Sequence, residues 1–221
     1  MHSPSLRFKH PLTSWRGWMA ALLAVTLWSG AVHAADPQSP DALIKEVSTD
    51  VIESAKADKS IQAGDLQKVI GLVDTKVMPH VNFQRMTIST VGSRNWNAAT
   101  DEQKKRLLEE YKVLLMRTYA GALTLVKDQT VQVSPLRSAP TDNEVVVRTK
   151  VRGGGEPVQL DYRLEKADQG WKIYDVNVSG FWLTEQFRNS WAQEISANGL
   201  DGLIANLAKR NKSAATVPAK G

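Results

Sequence analysis

Side chains able to do covalent or acid-base chemistry are few in this sequence. It has no cysteine and four histidines, and three of those, His2, His10 and His33, fall within the first 34 residues. His80 alone remains, which leaves almost no material for a tetrahedral zinc site or for a Cys-His or Ser-His-Asp apparatus. It follows Pro79 at an expected helix end, where an imidazole can satisfy a backbone carbonyl. Carboxylates could still do acid-base work, and Asp161, Asp175 and Glu185 are the candidates, but nothing in the sequence pairs them. Asp175 lies in an apolar run, so it is expected as a hydrogen-bonded or ion-paired group, with Arg188 as one candidate partner. The Gly153-Gly154-Gly155 run has neither a following Lys-Ser/Thr pair nor a helix start and reads as a hairpin turn rather than a phosphate loop. No catalytic residue, metal site or cofactor is assigned.

What the chain has in excess is large side chains with apolar bodies: Tyr111, Tyr119, Tyr162, Trp171, Tyr174, Phe181, Trp182, Phe187 and Trp191. Such a set fills a core or lines a ligand pocket, and periodicity is the same in both cases.

The elements that must position these residues follow from spacing. Leu43, Ile44, Val47, Val51 and Ile52 recur at helical intervals after Ser39-Pro40, an N-cap and a first-turn proline. Asp65 opens a second helix through Leu66, Val69, Ile70, Val73 and Val77, which Pro79 stops. Asn82 caps a third, short helix that ends near Gly92, and Thr100 to Gln103 has capping-box spacing ahead of a long helix through Leu107, Tyr111, Leu115 and Tyr119. The period then falls to two. Residues 130–135, 144–152, 157–166 and 171–179 read as strands, the second alternating Val145, Val147, Thr149 and Val151 with Val146, Arg148, Lys150 and Arg152. The fourth carries apolar residues on both faces, as expected for a strand inside the sheet or covered twice. Helical spacing returns with Phe187, Trp191 and Ile195, breaks at Asn198-Gly199, and resumes with Leu200, Leu203, Ile204 and Leu207. The expected fold class is α+β, a curved antiparallel sheet of about four strands with helices from before and after it covering the apolar face.

Residues 1–34 differ from the rest. Arg7, Lys9 and Arg16 precede an apolar run from Trp18 to Trp28, with Val32 and Ala34 at the small-residue positions before a cut. That order predicts a cleavable signal peptide, and the run is about half the roughly 20 residues a membrane span needs. Its removal lowers the formal charge from +5 to +2, with 25 Lys and Arg against 23 Asp and Glu, too balanced for an electrostatic nucleic-acid binder. A single domain over 35–211 and a flexible tail over 212–221 complete the expected organisation.

Several separate blocks resemble the MlaC, or toluene-tolerance, family. They are Trp171-Lys172-Ile173-Tyr174-Asp175-Val176-Asn177-Val178-Ser179-Gly180, then Leu183 and Arg188, then Gly199-Leu200-Asp201-Gly202-Leu203-Ile204. Upstream, Val77 to Phe83, Val91-Gly92, Trp96 and Thr100 to Gln103 are similar to that family's helical blocks. The resemblance spans nearly the whole chain after residue 34. It implies a periplasmic carrier that shuttles phospholipid between an outer-membrane lipoprotein-porin complex and an inner-membrane ABC transporter complex and so maintains outer-membrane lipid asymmetry. It also implies a sheet like that of nuclear transport factor 2, wrapped by helices around an acyl-chain cavity, in a protein expected to be monomeric, to dock transiently and to bind no nucleic acid. On that basis Val145, Val147, Leu160, Tyr162, Leu164 and Val176 are expected on the cavity floor. Phe83, Met86, Tyr111, Leu115, Tyr119, Phe187 and Trp191 are expected on its walls, and Phe181 and Trp182 are also expected to contact lipid. Arg148, Lys150 and Arg188 are assigned to head-group contact or docking; for Arg148 and Lys150 a plain solvated outer face is the alternative. The chain departs from the family pattern at Ser179, at Trp182 and at Gln186-Phe187, and a bulky Trp182 is expected to narrow or reshape the mouth. A carrier of hopanoid or another lipid, an enzyme on the same scaffold and a solid-core binding module are the alternative readings.

Overall fold

The computed structural model describes residues 39–137, 141–153 and 155–213, so the expected signal peptide and residues 214–221 of the tail lie outside the described residues. Caps start the helices where side-chain chemistry puts them. Helix α1 (Pro40–Ala57) has Ser39 at its N-cap position and proline in its first turn. Asp58 and Asp65 accept backbone N–H bonds at the starts of α2 (Lys59–Gln62) and α3 (Leu66–Lys76), and Asn82 does so for α4 (Phe83–Val91). Pro79 falls in a 3-10 turn, Met78–His80, that ends the second helical block. Gly92, with φ of +84°, separates α4 from α5 (Ser93–Ala98). Both bonds of the capping box are present at Thr100 and Gln103, and α6 (Asp101–Thr124) follows. The two short helices α2 and α5 are additions to the expected set.

The sheet has five strands rather than four: β1 (Thr130–Val133), β2 (Glu144–Arg152), β3 (Val158–Ala167), β4 (Gly170–Val178) and β5 (Phe181–Trp182). They lie in sequence order with every pair antiparallel. The fifth is a two-residue strand, folded back through Ser179 and Gly180, both at positive φ, as a tight hairpin turn requires.

Strand β4 shows why its apolar residues read as two-faced. Arg163 of β3 pairs with Asp175, but the next residue, Leu164, pairs with Ile173, so Tyr174 is an extra residue on β4. This bulge re-phases the strand, because one inserted residue inverts a period of two. Trp171, Ile173, Val176 and Val178 therefore share the inner face, and Asp175 and Asn177 point outward.

Helix α7 (Leu183–Ser213) closes the chain, broken at Gly199 by a φ of +70° and ψ of 179° that suit glycine alone. Lys212 and Ser213 of the expected tail are thus helical. Buried residues form three clusters. Helix α1 packs Leu43, Ile44 and Val47 on Val145, Val147, Leu164 and Ile173 of the sheet. Helices α4 to α7 pack together around Leu107, Tyr111, Trp191 and Ile204. Ala55, Ile61, Val69, Leu72 and Val126 form the third, where α1, α2 and α3 meet the segment after α6.

Candidate functional site

Strand register puts the site on the inner sheet face. Val147 pairs with Tyr162 and Tyr162 with Val176, while Thr149 pairs with Leu160 and Leu160 with Val178. All point to the side covered by helices. Side chains there divide into two groups by accessibility. Val145, Val147 and Leu164 are buried beneath α1. Leu160, Tyr162, Val176 and Val178, on central strands, stay partly accessible. Val176 touches both the α1 cluster and the α4–α7 cluster, so this accessible strip runs between the two.

The helical wall residues divide the same way. Met86, Tyr111, Leu115 and Trp191 are covered by protein neighbours. The Tyr111 ring sits 4.7 Å from Trp191, 5.4 Å from Phe83 and 5.7 Å from Phe187, centroid to centroid. The Trp191 and Phe187 contacts are edge-on and the Phe83 contact is tilted, and aromatic pairs of this kind contribute about 0.5–1.5 kcal/mol each beyond burial. Burial holds the Tyr111 phenol well above its ordinary pKa, so the ring enters the core as a neutral group beside the Thr90 hydroxyl. Phe83, Tyr119 and Phe187 pack against the same cluster and remain partly accessible.

Tyr162 combines both properties. Burial pushes its phenol pKa up, against the Ser48 and Thr149 hydroxyls that pull it down, yet part of its surface is accessible. Sequence reasoning passed over Ser48 and Val178. Ile44, Val47, Ser48 and Val51 fall at the spacing of one helix face, a signal that placed Ser48 inward had it been applied to polar residues.

Other expected residues lie elsewhere. Phe181 is 69% exposed and Val158 43% exposed; register places both at the β2–β3 hairpin end of the sheet. Leu125, 68% exposed, joins them through Gln129, whose amide donates to the carbonyls of Leu125 and Gly153. Trp182 is not inward: its ring lies 3.8 Å from the Arg163 guanidinium, opposite outward-facing Asn177. Arg148 and Lys150 are exposed on the outer face of β2. Arg188 donates through Nε and Nη2 to the Ser89 carbonyl at 3.1 and 2.9 Å, fastening α7 to α4. It does not pair with Asp175. That carboxylate is 1% exposed and takes four donors: the N–H groups of Val176 and Thr184, the Thr184 hydroxyl and Arg163 Nη1. Arg163 also reaches Glu185 at 3.2 Å. Two of the three carboxylates considered for acid-base work are therefore joined in an outward ion-pair network, and Asp161 takes a bond from Gln159 at 2.8 Å. Among the described residues no cluster of three or more His, Cys, Asp or Glu side chains could hold a metal ion.

An open antiparallel sheet with one face roofed by helices, and a strip of that face accessible between two packed clusters, defines an α+β protein built around its inner sheet surface. A solved phospholipid-binding protein from Ralstonia solanacearum, in complex with a phospholipid, has this fold: TM-score 0.78, 45% identity, 81% of this chain and all of that one covered. The sequence model of the MlaC protein matches residues 45–209, and the chain belongs to that family. Toluene tolerance protein ttg2D of Pseudomonas putida is 26% identical over 93% of this chain and 96% of its own. The intermembrane phospholipid transport system binding protein MlaC of Haemophilus influenzae is 22% identical over 76% and 80%.

Proposed function

We propose that this chain is a phospholipid carrier of the periplasm, enclosing acyl chains between its sheet and helices. It moves lipid between an outer-membrane lipoprotein-porin complex and an inner-membrane ABC transporter and so maintains outer-membrane lipid asymmetry. The observation that carries this reading is the accessible strip of Leu160, Tyr162, Val176 and Val178. Inward residues on central strands under helices belong to the most buried class in a filled core, and these do not. Family membership and the lipid-bound Ralstonia relative support the same ligand class.

Energetics explain why such a strip is useful. Moving two acyl chains of about 16 carbons into water costs on the order of 25 kcal/mol, at roughly 0.8 kcal/mol per CH₂. A carrier must cover both chains and release them only where another apolar surface meets its mouth. Val158 and Phe181, exposed at one end of the sheet, suit that rim. The head group stays near water, because a buried phosphate would carry a large desolvation cost. The export signal read over residues 1–34 supports the periplasm, and no described helix is long and apolar enough to cross a membrane. This reading assigns no catalytic residue.

Incubating the delipidated mature protein with vesicles that contain labelled phospholipid tests it. Label should elute with the protein on gel filtration. Elution of protein without label contradicts the proposal.

A further inference from the structure

A phenol is an odd choice for the middle of an apolar floor. Tyr162 is flanked across the strands by Val147 and Val176 and along its own strand by Leu160 and Leu164. Helix α1 lays Val47 on the same cluster, which brings the next residue, Ser48, beside Tyr162. Thr149, two pairs along the β2–β3 ladder and so the next inward residue of β2, brings a third hydroxyl. Its proton is committed, since Thr149 Oγ1 donates to the Leu160 carbonyl at 2.7 Å. Thr149 therefore offers only oxygen, and the protons of Ser48 and Tyr162 are those left to give. Phenylalanine has nearly the same shape and would pack there without a polar cost, whereas a buried hydroxyl needs a partner. Leu43, Ile44, Val47, Val145, Val147, Leu164 and Ile173 pack around it. The cations next to it in register, Arg148 and Arg163, point to the outer face, where Arg163 pairs with Asp175 and Glu185, so the group suits a neutral acceptor rather than a phosphate.

We infer that Ser48, Thr149 and Tyr162 form a neutral polar anchor for the ester carbonyl oxygens of the enclosed lipid. The inference rests on the carrier reading and adds to it. In a glycerophospholipid the ester carbonyls are the uncharged acceptors at the junction of head and tails. One donated bond there fixes how deep the lipid sits. Selection then favours diester lipids over analogues that lack the carbonyls, independently of head group.

The test is a competition on the delipidated mature protein. A diacyl phospholipid and its dialkyl-ether analogue, matched in head group and chain length, are offered together and bound lipid is read by native mass spectrometry. The wild-type protein should favour the diester about three- to tenfold, the discrimination expected of one net hydrogen bond. Tyr162→Phe should take up both lipids and lose the preference. Ser48→Ala, which leaves the sheet untouched, should narrow it and serves if Tyr162→Phe does not fold. Equal binding of both lipids by wild type, or an unchanged preference in the variants, overturns the anchor and leaves the carrier reading standing. Binding of neither lipid by wild type is the failure of the carrier reading itself, and the anchor falls with it.

Discussion

Asp175 illustrates how a single carboxylate can be kept inside a fold without catalytic purpose. Its Oδ1 accepts from the Val176 and Thr184 N–H groups at 2.9 and 3.2 Å, and its Oδ2 from the Thr184 hydroxyl and Arg163 Nη1 at 2.7 and 3.0 Å. Thr184 is the second residue of α7, so the negative charge sits at a helix start, where the unsatisfied N–H groups favour it. Breaking a buried pair on one side costs about 3–5 kcal/mol, because the remaining charge keeps its desolvation penalty. Arg163 is 30% accessible, which puts the expectation at the lower end. Asp175→Asn should lose about 3 kcal/mol in urea denaturation and the folded fraction should still hold lipid. A loss below about 0.5 kcal/mol would remove this network from the account of stability. The sequence marked Asp175 as a satisfied buried group but offered Arg188 as its partner. The true partner lies across a strand pair, and cross-strand neighbours are set by register, which the bulge at Tyr174 shifts with no glycine beside it to mark the place.

At the level of elements, α4 is fastened to the lower end of the sheet by polar side chains. Glu144 and Glu165 face each other across β2 and β3, a pairing that like charges disfavour. Arg85 of α4 resolves it, bonding both carboxylates and laying its guanidinium 3.7 Å over the Tyr174 ring. Asn82 Nδ2 donates to Glu165 at 2.6 Å, and the Tyr174 hydroxyl donates to Glu144 at 2.9 Å. The bonds from Arg85 first and Tyr174 second hold Glu144 below the usual carboxylate range. A depressed carboxylate contributes stability above its unfolded pKa and loses it as pH falls through the folded value. Glu144→Gln should therefore lower the melting temperature near neutrality and flatten its fall as pH drops below about 4.3, so that variant and wild type converge in acid. Glu144 is about half accessible, so the effect is modest. A variant that tracks wild type at every pH contradicts the clamp. Elements of this kind were well marked in the sequence: Asp65, Asn82 and the Thr100 capping box begin helices at their expected places, and Gly199 breaks α7 as read. Tyr174's bulge and the two-residue β5 were not, because neither has a period long enough to register.

Across the whole molecule, the sheet separates two surfaces of different chemistry. Its inner face is apolar, filled beneath α1 and among α4 to α7, and accessible between them. On the outer face, Arg85 and Arg163 are paired with carboxylates, while Arg148, Lys150 and Arg152 stand exposed along β2. Under the proposed carrier function, that basic strand is the surface we propose for docking on an acidic face of a membrane complex. Reversing charge with Arg148→Glu and Lys150→Glu should weaken pull-down of the two membrane complexes and leave lipid content unchanged; an unchanged pull-down would exclude this strand from docking. Sequence alternation and the register agree on the inward side of Val145, Val147, Leu160, Tyr162 and Leu164, whereas the bulge in β4 decided Val176; alternation marks which way a side chain points and carries no information on what fills the space beyond it. Whether the inner strip holds lipid is the claim on which the rest turns. Native mass spectrometry of the mature protein as purified measures it directly: the account predicts a folded species heavier than the polypeptide by the mass of phospholipid, released by organic extraction, and a purified protein at the bare polypeptide mass that also takes up no added phospholipid would contradict it.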